Sequence, residues 1–126
     1  AKLAVNLLIV GTSTMLAEAL ALGERGGLEW RTLWQVVESS AAASPIVKAK
    51  APALREHDYT PTFTVAQMQK DVSLIRAAAA ALGVATPVAD LAAMALARAA
   101  AQGEAGEDYA VVIRDARAAA HAGGAG

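Results

Sequence analysis

KLAVNLLIVGTSTMLAEALAL, residues 2–22, holds no proline, and its only interior glycine is Gly11. An unbroken apolar run of this length predicts a helix from Lys2 to Leu22. Fifteen residues between Lys2 and Glu18 carry no formal charge. A membrane-spanning helix needs about 20 mostly apolar residues. This run is shorter and includes Asn6, Thr12, Ser13 and Thr14. The expected element is therefore a helix buried on most sides by protein, with no membrane partner. No capping residue precedes it, so the sequence opens inside a helical pattern, as a fragment would.

Outward from this helix, glycine and proline punctuate the chain. Gly23 to Gly27 should stop the first helix, and a second is expected from Glu29 to Glu38, with Leu33, Trp34, Val36 and Val37 as its apolar side. Ser44-Pro45 reads as a cap followed by proline in the first turn. A short helix should run through Ile46 and Val47 until Pro52 limits or kinks it. Residues 55–62 (REHDYTPT) read as a loop. Thr64 is a good N-cap for a long helix over 65–82, whose stripe is Val65, Met68, Val72, Ile75, Ala79 and Leu82, and Gly83 should end it. Thr86-Pro87 repeats the cap signal before a helix to about Gln102, with Val88, Leu91, Met94 and Leu96 apolar. A last helix is expected over 108–120 with Tyr109, Val112 and Ile113 inward, and the tail 123–126 is expected to be disordered. Strand-like alternation and internal repeats are absent. The fold class is all-α, about six helices.

The 126 residues suffice for one domain over 1–122. Hydrophobic residues make up 56% and charged residues only 18%, below the roughly 25% usual in soluble domains. Much of the apolar share is alanine, which favours closely packed helices. So few charges leave a surface suited to a homodimer or higher oligomer. The net charge is -1, and the basic residues are scattered, so no concentrated basic face for nucleic acid exists. The absence of cysteine excludes disulfides and thiolate metal sites. The start of the chain lacks a signal-peptide layout, so a cytoplasmic location is the default expectation.

Candidate chemistry begins at Lys2 and Asn6, four residues apart on one helix face, with Ser13 near the same line. Together they could grip an oxygen-bearing substrate, with the lysine as proton donor or acceptor. Leu3, Ala4, Val5, Leu7 and Leu8 would strip water from its ammonium. Spacing alone favours a solvated terminal lysine and an asparagine satisfied by a neighbour. Lys70 points away from its helix's apolar stripe and reads alone as a surface lysine, with Asp71 in a weak surface ion pair. Phe63 reads as a hydrophobic staple beside the Thr64 cap. His57 and His121 lack convergent ligands, so no metal site is expected. Glycine-rich phosphate loops are absent as well.

Three separated blocks carry a family resemblance. KLAVNLLIVGTSTMLAEALALGERGGL (2–28) places Lys2, Asn6, Glu18-Ala19 and Gly27-Leu28 in the pattern of a β-hydroxyacid dehydrogenase interdomain helix. SSAAASPIVKAKAPALREHDYTPTFTVAQMQKDVSLI (39–75) resembles that family's second block, with Phe63 and the Lys70-Asp71 pair matching. ALGVATPVADLAAMALARAAAQGEAGEDYAVVI (81–113) is similar to its C-terminal stretch, with Glu107-Asp108-Tyr109 at an acidic-aromatic position. The sequence thus resembles the C-terminal helical domain of the 3-hydroxyisobutyrate dehydrogenase type, a fold like the C-terminal domain of 6-phosphogluconate dehydrogenase.

The resemblance implies hydride transfer between NAD or NADP and a short 3-hydroxy acid or its aldehyde or keto partner. In that scheme Lys2 is the catalytic acid or base and Asn6 binds substrate. Lys70 reaches the cofactor, Asp71 orients it, and Phe63 lines the cleft beside it. The N-terminal Rossmann domain with its glycine fingerprint lies outside this chain, so the chain alone is expected to be inactive. The competing expectation is a non-catalytic helical oligomerisation module, which would tolerate loss of Lys2.

Overall fold

The computed structural model describes residues 1–123. It consists of six helices: α1 (Lys2–Arg25), α2 (Trp30–Ser39), α3 (Pro45–Arg55), α4 (Val65–Leu82), α5 (Pro87–Ala101) and α6 (Val111–Gly123). The fold is all-α, and among the described residues the extended pairing is a single antiparallel bridge between Thr64 and Asp108. Gly123 closes α6 rather than opening a tail, and 124–126 lie outside the described residues.

α1 is the central element and packs against α2, α4, α5 and α6. Its Val10, Gly11, Ser13, Ala17, Leu20 and Ala21 are buried. By length and composition it could cross a bilayer, a test that core helices also pass. Its burial is narrower than the uncharged run suggested, since Val5, Leu8, Met15 and Leu22 are exposed. The helix also runs past Gly23 to Arg25. Gly23 serves packing instead of termination: a Cβ there would stand 2.8 Å from the Leu33 Cδ1 atom. A side chain at position 23 would force the Leu33 side chain of α2 to shift.

Local signals shape the other helices. Glu29 caps α2 through Arg31 N–H and Thr32 N–H, and Trp30, Leu33 and Trp34 are buried while Val36 is exposed. Ser44 caps α3. α3 continues through the exposed Pro52 and ends three residues later at Arg55. Thr64 and Gln67 form a reciprocal capping box at the start of α4. Gly83 closes α4 in the left-handed conformation, φ 69°. Thr86 makes no side-chain cap bond. On α5 the buried face is Ala89, Ala92, Leu96 and Ala99, whereas Val88, Leu91 and Met94 face outward. The small alanines let α5 approach α1 and α4 closely, which leaves the larger side chains on the outside.

Candidate functional site

Where α1, α3, α4 and the start of α6 converge, a cleft of about 330 Å³ opens. Lys2, Asn6 and Ile9 reach it from one face of α1, as their spacing of four and three dictates. Ile46 and Lys50 contribute from α3, Thr62 and Phe63 from the loop before α4, Met68 and Asp71 from α4, and Tyr109 from the turn before α6. The staple partners Phe63 and Met68 thus line one wall, and the Phe63 ring meets Tyr109 edge-on at 6.3 Å.

Four of the five candidate residues read from the sequence share this cleft: Lys2, Asn6, Phe63 and Asp71. Lys70 does not line it, because one residue along a helix turns the side chain about 100° away, and it is exposed. Lys2 is exposed too, with Ala4 and Val5 likewise exposed. Its apolar sequence neighbours therefore do not enclose it within this chain. Ser13 is buried outside the cleft and donates to the Val10 carbonyl at 2.9 Å.

Asn6 Nδ2 donates to Asp71 Oδ2 at 3.0 Å, across 65 residues of sequence. Asp71 therefore orients the cleft amide rather than pairing with a surface cation. With one amide hydrogen committed, Asn6 keeps its carbonyl oxygen and a second N–H for other partners.

Sequence reasoning missed Lys50 and the structural role of Asp108. Lys50 Nζ donates to both Asp108 oxygens, at 2.9 and 2.8 Å, and lies 4.4 Å from the Tyr109 ring centroid. Burial opposes the Asp108 charge, but Lys50 and the N–H groups of Ala110 and Thr62 outweigh it and hold its pKa below the usual range. Burial, then the Asp108 anion, pushes the Tyr109 phenol up to about 12, so it forms a neutral wall. A signal existed: an aspartate just ahead of an apolar helix is a cap cue. Ala110 N–H donates to Asp108, and α6 begins at Val111 and not at Asp108.

A second groove of about 270 Å³ lies between α1, α5 and α6, bordered by Glu18, Arg98 and Asp115. His57 is exposed at φ 55° and stacks on Trp30, 5.2 Å between ring centroids. His121 is exposed and lies 3.1 Å from Glu24. Among the described residues, no cluster of three or more His, Cys, Asp or Glu could hold a metal ion.

Comparison with known proteins places this geometry in context. Residues 1–115 match a family model described as NAD-binding of NADP-dependent 3-hydroxyisobutyrate dehydrogenase. The chain is 31% identical over 112 residues to glyoxylate/succinic semialdehyde reductase 1 of Arabidopsis thaliana, covering 89% of this chain and 39% of that protein. It is 35% identical over 115 residues to NAD-dependent L-serine dehydrogenase of Pseudomonas aeruginosa, covering 84% and 37% respectively. The crystal structure of a 3-hydroxyisobutyrate dehydrogenase from Salmonella typhimurium superposes with a TM-score of 0.83 at 30% identity, over 90% of this chain and 40% of that one. The chain spans about two fifths of the length of these relatives.

Proposed function

The chain belongs to the 3-hydroxyisobutyrate dehydrogenase family, and from that membership we propose that it forms the helical half of the active-site cleft in an NAD(P)-dependent oxidoreductase. The proposed reaction passes a hydride between the nicotinamide and a short 3-hydroxy acid or its aldehyde or keto partner. A Rossmann domain on the N-terminal side of Lys2 supplies the rest of the cleft in this reading. The observation that carries it is the convergence of Lys2 and the Asp71-anchored Asn6 on one cleft.

The residues present suit a nicotinamide. The Phe63 ring offers an apolar face, and the Asp71 and Asn6 oxygens are acceptors for a carboxamide or hydroxyl. The 126 residues carry no glycine-rich dinucleotide fingerprint, so the pyrophosphate would be held by the Rossmann domain. When bound, the nicotinamide supplies or accepts the hydride. Lys2 gives its Nζ proton to the carbonyl oxygen in reduction and takes the hydroxyl proton in oxidation. Asn6 holds the same oxygen within reach of Lys2, and Asp71 keeps the amide in that orientation. Lys70 would touch the cofactor only from the rim.

The test is oxidation of NADH and NADPH by the full parent polypeptide with a panel of short aldehyde and keto acids, beside Lys2→Ala. Loss of a general acid costs about 10²- to 10⁴-fold in turnover, with an unchanged thermal midpoint expected. Equal rates from variant and parent would favour the oligomerisation module instead, a reading that the exposed Leu8, Leu91 and Met94 side chains fit.

A further inference from the structure

Lys50, which lines the cleft, and the buried Asp108 form a charged pair that the proton and hydride scheme does not use. Asp108 is 3% exposed. Its Oδ1 accepts from Lys50 Nζ, from the backbone N–H of Thr62 at 3.1 Å and of Phe63 at 3.3 Å, and from the Thr62 hydroxyl at 3.2 Å. Its Oδ2 accepts from Lys50 and from Ala110 N–H at 3.0 Å. Lys50 spends its remaining donor on the Thr62 hydroxyl at 3.1 Å. A buried carboxylate so fully bonded is rigid, because each lost donor would leave charge uncompensated.

Three segments meet at this carboxylate: α3 through Lys50, the loop through two successive backbone N–H groups, and the turn into α6. The loop residue it grips is Phe63, whose ring lines the cleft. Tyr109, next to Asp108 in the chain, meets that ring edge-on and carries the Lys50 ammonium on its own face. Carboxylate, ammonium and two aromatic rings therefore form one unit, and its exposed product is the position of Phe63.

We propose that Lys50 and Asp108 are positioning residues of the cleft, a buried ion pair that sets the Thr62–Phe63 backbone and so aims the Phe63 ring at the cofactor and substrate. The kinetic side of this proposal rests on the hydride-transfer reading, and the structural side does not. A pair that served folding alone would lower the melting temperature and leave the kinetics of the folded enzyme untouched.

The experiment uses the full parent polypeptide, with Lys50→Met, Lys50→Arg, Phe63→Ala and the Lys50→Met/Phe63→Ala double variant, each assayed well below its melting temperature. Hydrogen exchange of the 59–65 segment is followed in parallel. We expect Lys50→Met to raise KM about tenfold, with a smaller change in kcat, since coupled neighbours interact on this scale. Lys50→Arg should restore most of the loss, and the double variant should be little worse than Phe63→Ala alone. Exchange at Thr62 and Phe63 should quicken in Lys50→Met while α1 stays protected. Unchanged KM and kcat with a lowered melting temperature, or full additivity of the two substitutions, would overturn the proposal. If the unsubstituted parent oxidises neither NADH nor NADPH, the hydride-transfer reading fails separately. Exchange in the 59–65 segment then decides the positioning role, and unchanged exchange in Lys50→Met sinks it.

Discussion

Asp71 and Asp115 show how differently two aspartates behave under unlike surroundings. Asp71 holds the Asn6 amide. Asp71→Ala should release that amide and lower kcat/KM of the parent about tenfold or more, in line with the worth of a hydrogen bond to a charged group, with far less effect on folding. Asp115 is half-buried near Glu104, and burial first, then the Glu104 carboxyl, pushes its pKa up to about 7. A proton on Asp115 lets the two carboxyls share a hydrogen bond, which two ionised oxygens cannot make. A carboxyl raised above its ordinary 3.8 holds its proton more tightly folded than unfolded. Its stabilising share is complete below that value and is lost as pH rises through about 7. Asp115→Asn should therefore raise the melting temperature at pH above 7 and do little in acid. Asp108 has the opposite sign: its lowered pKa stabilises above 3.8 and is lost as pH falls through the folded value. Asp108→Asn should remove part of the acid lability, at a cost in stability near neutrality read from thermal melts across pH.

Among the helices, the same cue does not always produce the same structure. Thr64 and Thr86 both precede helices and both look like caps. Thr64 closes a capping box with Gln67, while Thr86 makes no side-chain cap bond. Thr64→Ala should cost about 1 kcal/mol in urea unfolding, and Thr86→Ala close to nothing. Equal losses would contradict the difference in cap geometry. The boundaries of α4 were legible because cap, stripe and terminal glycine agree over 65–83. α5 was legible in extent but not in orientation. Its Ala89, Ala92 and Ala99 are nearly neutral in any hydropathy pattern, and the advantage of burying them lies in close backbone approach. Pro52 does not end α3, which runs on to Arg55, although the proline forfeits one backbone bond and crowds the carbonyl four residues back.

At the scale of the molecule, the described residues leave the cleft open to solvent, and α1 has no buried residue before Val10. A surface for association is offered by the exposed apolar side chains that α1, α4 and α5 each carry, among them Leu8 at 70% and Leu82 at 77% exposure. We propose that this surface associates in a homodimer. Light scattering should give twice the monomer mass, and Leu91→Glu should lower it. A monomeric mass at high concentration would sink the idea. The chain by itself is expected to bind NAD(P) weakly, because a nicotinamide contributes a small share of dinucleotide affinity compared with a pyrophosphate at a helix N-terminus. A micromolar Kd measured by calorimetry would refute this.

The amino-acid order alone determined the helical class, the number of helices and most of their ends, since propensity, caps and periodicity act within a few residues. The same local periodicity placed Lys2 and Asn6 on a common face, and the resemblance attached chemistry to that face. Only tertiary structure decided that Asn6 is held by Asp71 and that Lys50 and Asp108 pair across 58 residues. Such contacts depend on how α1, α3 and α4 cross, and the crossing is set by the fit of many side chains at once. A pattern read three or four residues at a time carries no record of that fit, so it can name the face of a helix but not what the face meets.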